Sequence, residues 1–390
     1  MNVLTVTTLY PNKNQFRHGV FIETRLRHLV QTGEINARVV APVPWFPFKG
    51  ERFKQYAIYA DIPKFETRQG IDIYYPRYLV IPKIGMVLTP FFMSISLYFQ
   101  VKKLNKQKQI DLIDAHYFYP DGVAVALVNK ILKIPFIISA RGTDINLIPK
   151  YKLPRRMILW AAKQAQASVT VCKALKDSMI EMGADSNKIH VFRNGVDLDL
   201  FKLLDKAQCR DKYKLHKNTL VSVGHLIERK GHHLIIEAMK FLPGYQLLIV
   251  GGGEEEGALK KLVAQLQLHE QVKFLGEKKQ QDLPEIYNAA DAMVLASSRE
   301  GWANVLLESM ACGTAVVATD IWGTPEVVQS QDAGVLVKRT PEAIAQGVKT
   351  LFNKYPERVN TRKYAEQFSW DSTTQGLLKL FSTVINDKPR

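Results

Sequence analysis

Two glutamates flank the start of an apolar helix, and their spacing suggests that they bind a ligand together. Residues 298–313 read SREGWANVLLESMACG, with Glu300 just before the helix and Glu308 about one turn inside it. The first turn of a helix offers amides without intrahelical partners and a positive dipole end, which suit a phosphate. A buried carboxylate needs polar partners, and the diol of a ribose could supply them. A loop acid followed by a solvated helix acid would give the same letters, so the motif alone leaves both interpretations open.

The elements that must position these glutamates alternate between strands and helices in both halves of the chain. In the first half, VLTVTTLY, ARVVAPV, IDLIDAH, PFIISARG, ASVTVC and KIHVFRNGV are typical of strands. In the second half, the same is true of NTLVSVGHL, YQLLIVGGG, VKFLGE, AMVLASS, TAVVATD and AGVLVK. Apolar strands separated by amphipathic helices indicate parallel sheets covered on both faces. The sequence therefore predicts an α/β protein of two doubly wound, Rossmann-like domains facing a central cleft, with ligands at the carboxyl ends of the strands.

The composition is that of a globular protein. The chain has 390 residues, of which 46% are hydrophobic and 23% charged, and this length suits two domains. Its three cysteines are far apart and odd in number, which argues against a disulfide framework or a zinc site and indicates a reducing cytoplasm. No secretory signal is recognisable at the start. The apolar segment 84–101 is interrupted by proline and polar residues, so we expect a buried or interfacial helix there.

Nearly all of the net charge lies in the first half of the chain. The formal net charge is +16, and residues 1–195 hold 28 Lys and Arg against 13 Asp and Glu, which leaves +15 in that half. This asymmetry predicts that the first half faces an anionic partner. Nucleic acid, anionic lipid and a phosphorylated substrate all fit that description.

Several segments resemble the retaining glycosyltransferases of family 4, which have the GT-B fold. The two glutamates followed by SMACGTAVVATDIWGTPEVV are similar to the family's E-x7-E signature, and VSVGHLIERKGHHLIIEA is similar to its G-R-L-x-x-x-K-G segment. KIHVFRNGVDLDLF resembles the family's interdomain segment, and LIVGGGEEEGALKKL resembles the middle of its donor domain. The resemblance implies an acceptor-binding domain at 1–195, a nucleotide-sugar donor domain at 196–366, and a C-terminal helix at 367–390 that returns to the first domain.

The resemblance assigns the donor site to the second domain. Glu300 would contact hydroxyls of the donor sugar, and Glu308 would contact the ribose. The diphosphate would meet the amides of Gly301, Trp302, Ala303, Asn304 and Val305. The backbone around Leu275 and Gly276 would border the base.

The basic residues of the donor site follow the strand VSVGH. Lys230 matches the family lysine that neutralises the leaving diphosphate. The matching arginine of the family is replaced by His225, which follows Gly224, and Arg229 could supply the missing charge. A cation at this place makes physical sense, because negative charge builds on the departing oxygen as the glycosidic bond breaks.

The resemblance also implies residues near the reacting groups in the first domain. His116 matches a family histidine near the reacting sugar, which makes it a catalytic candidate together with Glu300, Lys230 and Arg229. The acceptor and phosphate loops would contain His18, Gly19, Asp121, Arg141 and Asp144. Two of these depart from the family pattern, because His18 stands where the family has glycine and Arg141 where it has histidine. A purely structural role for His116, Arg141 and Asp144 stays open.

The implied mechanism is a front-face displacement with retention, in which the leaving phosphate takes the proton of the acceptor hydroxyl. A carboxylate nucleophile at Glu300 is the alternative. LIVGGGEEEG could be mistaken for a dinucleotide fingerprint, but we interpret it as a tight turn near the donor. We expect a hexosyltransferase whose co-substrate is a nucleoside-diphosphate sugar, with uridine rather than guanosine as the base, and which needs no metal or other cofactor.

Two stretches of the first half place aromatic residues beside basic ones, at 42–56 (PVPWFPFKGERFKQY) and 148–164 (IPKYKLPRRMILWAAKQ). This combination suits an anionic bilayer, although core residues with a solvated rim would look the same. The family branch that the sequence resembles most builds teichuronic acids and other bacterial polysaccharides. We therefore expect a peripheral enzyme on the cytoplasmic face of the membrane that glycosylates a polyprenyl-diphosphate-linked saccharide.

Two other functions stay open at this point. A sugar-nucleotide 2-epimerase of the GT-B fold would convert the donor without any acceptor. A nucleic-acid-binding protein would use the basic first half and would bind in a salt-sensitive way, but it leaves both glutamates and the second domain unexplained. The sequence does not identify the transferred sugar, the acceptor, the linkage or the oligomeric state.

Overall fold

The computed structural model describes residues 1–16, 18–46, 55–81 and 85–387, and these divide into two compact units. Unit 1 is Met1–Arg193 together with the chain from Asp371 onward, and unit 2 is Asn194–Trp370. Each unit is built on its own sheet of mainly parallel strands with helices between them. The predicted class, α/β with two doubly wound domains, is confirmed.

In the main sheet of unit 1, the order in which successive strands are added reverses at β1. The strands of this unit are β1 (Asn2–Val6), β2 (Asn36–Val40), β3 (Val43–Pro44), β4 (Phe65–Arg68), β5 (Ile71–Tyr74), β6 (Arg77–Tyr78), β7 (Leu112–His116), β8 (Phe136–Ser139), β9 (Ala167–Thr170) and β10 (Ile189–Val191). The main sheet has the order β10-β9-β8-β7-β1-β2-β5-β4, and β3 pairs with β6 beside it. β1 lies between β7 and β2 and is parallel to both. The loops after β1 and β7 therefore diverge at the carboxyl edge, where such sheets bind ligands.

The edge of this sheet differs from what the sequence analysis predicts. β4 and β5 form an antiparallel pair that we did not predict. The burial of FETR and IDIY alternates along each strand, but over only four positions. That length is too short for a clear strand signal in the sequence.

The helices of unit 1 are α1 (Val20–Gln31), α2 (Gln55–Asp61), α3 (Gly85–Gln107), α4 (Val123–Leu132), α5 (Thr143–Asn146), α6 (Lys152–Gln164) and α7 (Lys173–Glu181). α3 covers nearly all of the apolar segment 84–101. Its inner face buries Met93, Leu97 and Val101, whereas its outer face is exposed. None of the helices in the described ranges is both long and apolar enough to cross a membrane. Of the predicted membrane-binding stretch 42–56, residues 47–54 lie outside the described part of the chain.

Unit 2 has a six-stranded sheet that is parallel throughout. Its strands are β11 (Asn218–Val223), β12 (Tyr245–Val250), β13 (Val272–Gly276), β14 (Ala292–Leu295), β15 (Val316–Thr319) and β16 (Gly334–Val337), in the order β13-β12-β11-β14-β15-β16. Its helices are α8 (Lys206–Tyr213), α9 (His232–Ala238), α10 (Glu256–Gln265), α11 (Leu283–Ala289), α12 (Asn304–Ala311), α13 (Thr324–Val327), α14 (Pro341–Asn353) and α15 (Arg358–Glu366). The order reverses between β11 and β14, which are neighbours although far apart in sequence.

The last helix, α16 (Trp370–Asn386), packs within unit 1 from Asp371 onward. Its apolar face contributes Leu377 and Phe381 to a core cluster that also contains Val3 and Leu112. The helix thereby buries apolar side chains against the first sheet, which stabilises unit 1 with residues from the far end of the sequence.

The loop after β11 is fixed against the end of β14 by a glycine. Gly231 has a left-handed backbone conformation, with φ of +70°, and a Cβ atom at this position would lie 2.1 Å from the carbonyl oxygen of Ala296. The amide of Ser298 donates to the carbonyl of Arg229 over 2.9 Å, and the Arg339 Nε donates to the carbonyl of Ala296 over 2.9 Å. These contacts hold the two loops together and fix the positions of the side chains that they carry.

We predict that Gly231→Ala lowers the melting temperature of the protein measured by scanning calorimetry. The new methyl group would clash with the Ala296 carbonyl, and the left-handed conformation alone costs an L-residue about 1–2 kcal/mol. The matched control is Gly257→Ala in α10, where nothing lies within 4 Å of the added carbon. Because alanine is the better helix former, that control should melt at the same temperature or higher. Equal melting of both variants would show that this loop is not fixed by its glycine.

Candidate active site

The carboxylate of Glu300 is held by cations and a hydroxyl that all contact the same oxygen. Its Oε1 lies 2.6 Å from the Lys230 Nζ, 2.7 Å from the Ser297 Oγ and 3.4 Å from the Arg229 Nη1. Burial opposes ionisation, but the two cations outweigh it and lower the pKa of Glu300. The group is therefore a carboxylate, and among the described residues no partner occupies its Oε2. A hydroxyl-bearing ligand could donate to that oxygen.

The second glutamate is set into α12 and meets a buried tyrosine. The hydroxyl of Tyr287, on α11, donates to the Glu308 Oε2 over 3.1 Å. Burial raises the pKa of Glu308 to about 7, although the hydrogen bonds from Tyr287 and Gln280 favour its ionised form. The side chain is only partly exposed. A small change in its surroundings can thus switch this carboxyl between its neutral and charged forms near neutral pH.

The segment between the two glutamates forms the start of α12, as predicted. Gly301, Trp302 and Ala303 are buried, whereas Asn304 and Val305 are partly exposed. The helix begins at Asn304, and no side chain caps it at the preceding position. The amide end of a helix without a side-chain cap suits an anion.

The remaining donor-site candidates lie at the carboxyl ends of β11 and β13. The amide of Gly224 donates to the Val250 carbonyl, and a Cβ atom at Gly251 would lie 1.9 Å from the Gly224 oxygen. The glycine run after β12 therefore serves the close packing of neighbouring loops. His225, directly after Gly224, is exposed.

Leu275 and Gly276 end β13, where both residues are partly exposed. Gly276 has φ of +66°, and nothing lies within 4 Å of where its Cβ would be. Its carbonyl accepts from the amide of Gly251 over 2.9 Å. The backbone at this strand end is thus fixed on one side and open on the other.

In unit 1, His116 is part of a buried network. Its Nε2 lies 2.9 Å from the Asp114 Oδ2, and the Arg141 Nε donates to its Nδ1 over 3.2 Å. Burial lowers the pKa of His116 to about 3, so the ring is neutral, with the proton on Nε2. Arg25 adds a second buried guanidinium, 3.7 Å from the Asp114 Oδ2. Both ring nitrogens of His116 are engaged, so the histidine orients Arg141 rather than presenting a free base. Its catalytic role stays a prediction.

Asp144 is engaged by backbone amides. Its carboxylate accepts hydrogen bonds from the amides of Phe118, Arg141 and Gly142, at 2.8, 3.0 and 2.8 Å. The side chain is fully buried. It therefore joins the loops after β7 and β8, and in this way it also fixes the backbone of Arg141.

The loop after β1 is held in a similar way. Gly19 has φ of +75°, and a Cβ there would lie 2.2 Å from the carbonyl oxygen of Leu9. Burial lowers the pKa of His18, whose neutral ring donates from Nε2 to the Thr8 carbonyl over 3.1 Å. Asp121 accepts from the amide of Thr8 and, over 3.0 Å, from its hydroxyl. Burial raises the pKa of Asp121 to about 7.

An open cavity of about 230 Å³ lies beside this loop. Its polar lining includes the side chains of Tyr10, Asn12, Gln15, His18, Tyr59 and Tyr78. No Asp, Glu, Lys or Arg lines it among the described residues. Aromatic rings and neutral hydrogen-bonding groups suit an uncharged polyhydroxyl ligand.

Sequence reasoning missed several residues that hold the predicted ones in place. They are Arg25, Asp114, Tyr287 and Ser297. Arg25 interrupts the buried face of α1, and a charge on an apolar face is a signal that helical periodicity could have revealed. Tyr287 and Ser297 gave no such signal, because they become partners of the glutamates only through the packing of α11 and β14. In the described ranges, no group of three or more His, Cys, Asp or Glu could hold a metal ion.

Known proteins resemble both halves of the chain. The model described as Glycosyltransferase Family 4 matches residues 22–200, and Glycosyl transferases group 1 matches residues 205–368. TuaC of Bacillus subtilis, a glycosyltransferase provisionally assigned to teichuronic acid biosynthesis, is 27% identical over 365 residues, which cover 89% of this chain and 88% of TuaC.

Solved structures share the fold over the whole chain. Sucrose-phosphate synthase from Thermosynechococcus elongatus superposes with a TM-score of 0.83 at 16% identity, over 99% of this chain and 100% of that one. HepE of Anabaena, in complex with UDP-glucose, superposes with a TM-score of 0.74 at 20% identity, over 98% of this chain and 100% of that one. The two family models together match residues 22–200 and 205–368, which is most of each unit, and the chain therefore belongs to the family 4 glycosyltransferases with the GT-B fold.

Proposed function

We propose that this protein is a retaining glycosyltransferase that moves a sugar from a UDP-sugar to a saccharide acceptor. The acceptor is a lipid-linked intermediate of a bacterial cell-surface polysaccharide. One observation carries the proposal: the ionised Glu300 is fixed through one oxygen beside Lys230, and its other oxygen has no partner among the described residues. This arrangement suits a ligand that brings hydroxyls to the carboxylate and negative charge to the ammonium.

The donor occupies the strand-end loops of unit 2 in this proposal. Hydroxyls of the sugar donate to the Glu300 Oε2, the diphosphate meets the first turn of α12, and the ribose diol donates to Glu308. Uridine as the base is supported by Anabaena HepE, which has been solved with UDP and with UDP-glucose and shares this fold. A saccharide acceptor in polysaccharide synthesis is supported by the similarity to TuaC.

The reaction that fits these groups is a front-face displacement. The bond between the anomeric carbon and the diphosphate oxygen breaks, and the acceptor oxygen bonds to the same face of that carbon. The acceptor's proton goes to the departing phosphate oxygen. Lys230 and Arg229 stabilise the negative charge that builds on the diphosphate. Because these side-chain cations can supply that stabilisation, we propose that no metal or other cofactor takes part.

The acceptor site belongs to unit 1 in this proposal. The cavity beside the β1–α1 loop is lined by tyrosines and side-chain amides, which suits an uncharged sugar unit of the acceptor. A lipid-linked acceptor requires the enzyme to work at the membrane surface. We therefore propose a peripheral location on the cytoplasmic face, consistent with the positive charge of the first half.

Binding of the donor should depend on pH. If the ribose diol donates to ionised Glu308, whose pKa is about 7 in the free protein, binding favours the deprotonated form. The affinity for UDP-glucose should then fall about tenfold from pH 8 to pH 6. Isothermal titration calorimetry in two buffers of different ionisation enthalpy would also detect the proton released on binding near pH 7.

The matched variant for this measurement is Glu308→Gln, which keeps the shape and cannot titrate. We expect it to bind UDP-glucose about 10–100-fold more weakly at pH 8, since a hydrogen bond to a charged group is lost, and with no pH dependence. The same affinity measurement with GDP-mannose and ADP-glucose tests whether uridine is the preferred base. If the wild-type affinity stayed constant between pH 6 and pH 8, the ribose would not be bound by ionised Glu308.

Turnover should depend on the charge of Lys230. Lys230→Ala should lower kcat about 10²–10³-fold, the usual loss when a preorganised charge stabiliser is removed, with a smaller effect on donor KM. The control is Lys212→Ala, which removes an exposed ion pair with Glu285 in the same unit and should leave turnover unchanged. Equal kcat for Lys230→Ala and wild type would show that Lys230 does not stabilise the leaving diphosphate.

Product analysis tests the reaction class with the wild-type enzyme. The α-anomeric configuration of UDP-glucose should be retained in the product, and turnover should persist in excess chelator. Inversion of the anomeric centre, or turnover that vanishes in chelator and returns with magnesium, would contradict the proposed mechanism. Conversion of the UDP-sugar to its 2-epimer in acceptor-free buffer would instead identify an epimerase.

A further inference from the structure

α3 presents an apolar stripe to solvent on the face opposite to the core. Phe91, Ile95 and Phe99 are 45%, 57% and 66% exposed. They are four residues apart, so they lie one above the other on the same side of the helix. The inner face of α3 already fills its part of the core, so the stripe is not needed for folding. Aligned large apolar side chains in water indicate a surface that another body covers.

The surroundings of the stripe are strongly basic. Within their described bounds α3 has three lysines, α4 one lysine, and α6 four lysines and arginines, and none of these helices contains an Asp or Glu. α4 packs against both α3 and α6, and the Lys130 Nζ lies 5.1 Å from the centre of the Trp160 ring. Further exposed apolar side chains are Ile131 at 67% and Leu153 at 48%. We call the outer surfaces of these helices the basic helix face.

We propose that the basic helix face docks on an anionic phospholipid bilayer, with Phe91, Ile95 and Phe99 inserted between the headgroups. Apolar side chains enter the interface while lysines and arginines meet the lipid phosphates, as in interfacial helices. A second copy of this chain is disfavoured as the occupant, because its identical face would oppose like charges without a single acid to balance them. An acidic protein partner would satisfy the charges, and the experiment separates it from a bilayer.

The same face adjoins the loops of the proposed acceptor site, so this inference deepens the proposed function and rests on it for the identity of the acceptor. α3 and α6 both pack on the turn Phe118–Gly122. In that turn, the Tyr119 hydroxyl donates to the carbonyl of Met86 at the start of α3, and Asp121 holds Thr8 of the β1–α1 loop. Docking through α3 would bring these loops close to the bilayer, where a lipid-linked saccharide presents its sugar.

The test is flotation of the full-length purified protein with lipid vesicles. The vesicles contain phosphatidylglycerol and phosphatidylethanolamine, and vesicles of phosphatidylcholine serve for comparison. We expect wild type to float with the anionic vesicles at low salt and to bind the neutral ones at least about tenfold more weakly. The triple variant Phe91→Ser, Ile95→Ser, Phe99→Ser should lose about tenfold or more of its binding to anionic vesicles. All three side chains are exposed, so the variant should keep the wild-type melting temperature.

The chain offers a matched apolar control. Ile180, Phe241 and Val359 are 38%, 40% and 50% exposed and lie outside the basic helix face. Their triple replacement by serine should leave vesicle binding unchanged. For the charges, Lys103→Gln, Lys106→Gln, Arg155→Gln and Arg156→Gln together should weaken binding to anionic vesicles and reduce its salt dependence.

The outcomes separate this inference from the proposed function. Vesicle binding lost in the α3 triple variant, with unchanged affinity for UDP-glucose, supports the docking surface. Wild type that ignores anionic vesicles, or a triple variant that floats as well as wild type, overturns it and leaves the nucleotide results untouched. A soluble, salt-sensitive complex with an acidic protein in place of vesicle binding would overturn it as well. If the wild-type protein did not bind UDP-glucose, that result would instead contradict the proposed function.

Discussion

The ion pair between Lys230 and Glu300 is the interaction on which the candidate site of unit 2 depends. Burying a carboxylate is unfavourable unless a cation and further hydrogen bonds compensate, and here Lys230, Arg229 and Ser297 do so at a single oxygen. The pair can form only because β11 and β14 are adjacent in the sheet and Gly231 lets their loops touch. The structure therefore fixes one oxygen of the carboxylate, while the other has no partner among the described residues, an arrangement that suits a preorganised binding site.

Unit 1 uses its buried charges differently. The carboxylate of Asp144 accepts hydrogen bonds from three backbone amides. The two ring nitrogens of His116 contact Asp114 and Arg141. Such groups satisfy each other and set the shape of the loops after β7 and β8. The open carboxylate oxygen of Glu300 thus lies in unit 2, whereas the cavity beside the β1–α1 loop of unit 1 is lined, among the described residues, by no Asp, Glu, Lys or Arg. This division is consistent with the proposed reaction, in which the leaving group carries the charge and the acceptor is held in position.

The sequence predicts the parts of this arrangement that are local. Alternating strands and helices indicate the fold class, and the spacing of Glu300 and Glu308 identifies the start of α12. Contacts between elements that are distant in sequence could not be predicted from local patterns. Tyr287 meets Glu308 only after α11 packs on α12. Asp144 reaches Phe118 only because β7 and β8 are neighbours. Short edge strands such as β4 and β5 are also not predicted from the sequence, since four residues contain too little periodicity.

α3 shows why composition alone could not assign the segment 84–101. An amphipathic core helix has one apolar face, and a helix that is apolar all round is either fully buried or surrounded by lipid. α3 matches neither description, because Leu97 lies in the core while Phe99 faces solvent. Apolar residues on both sides remove the helical periodicity that would have distinguished the faces. The lysines at its carboxyl end distinguish the outer face from a core face, because an apolar surface next to unbalanced positive charge suits lipid tails and phosphates together. That combination is the reason for which we propose an anionic bilayer as the partner of this face.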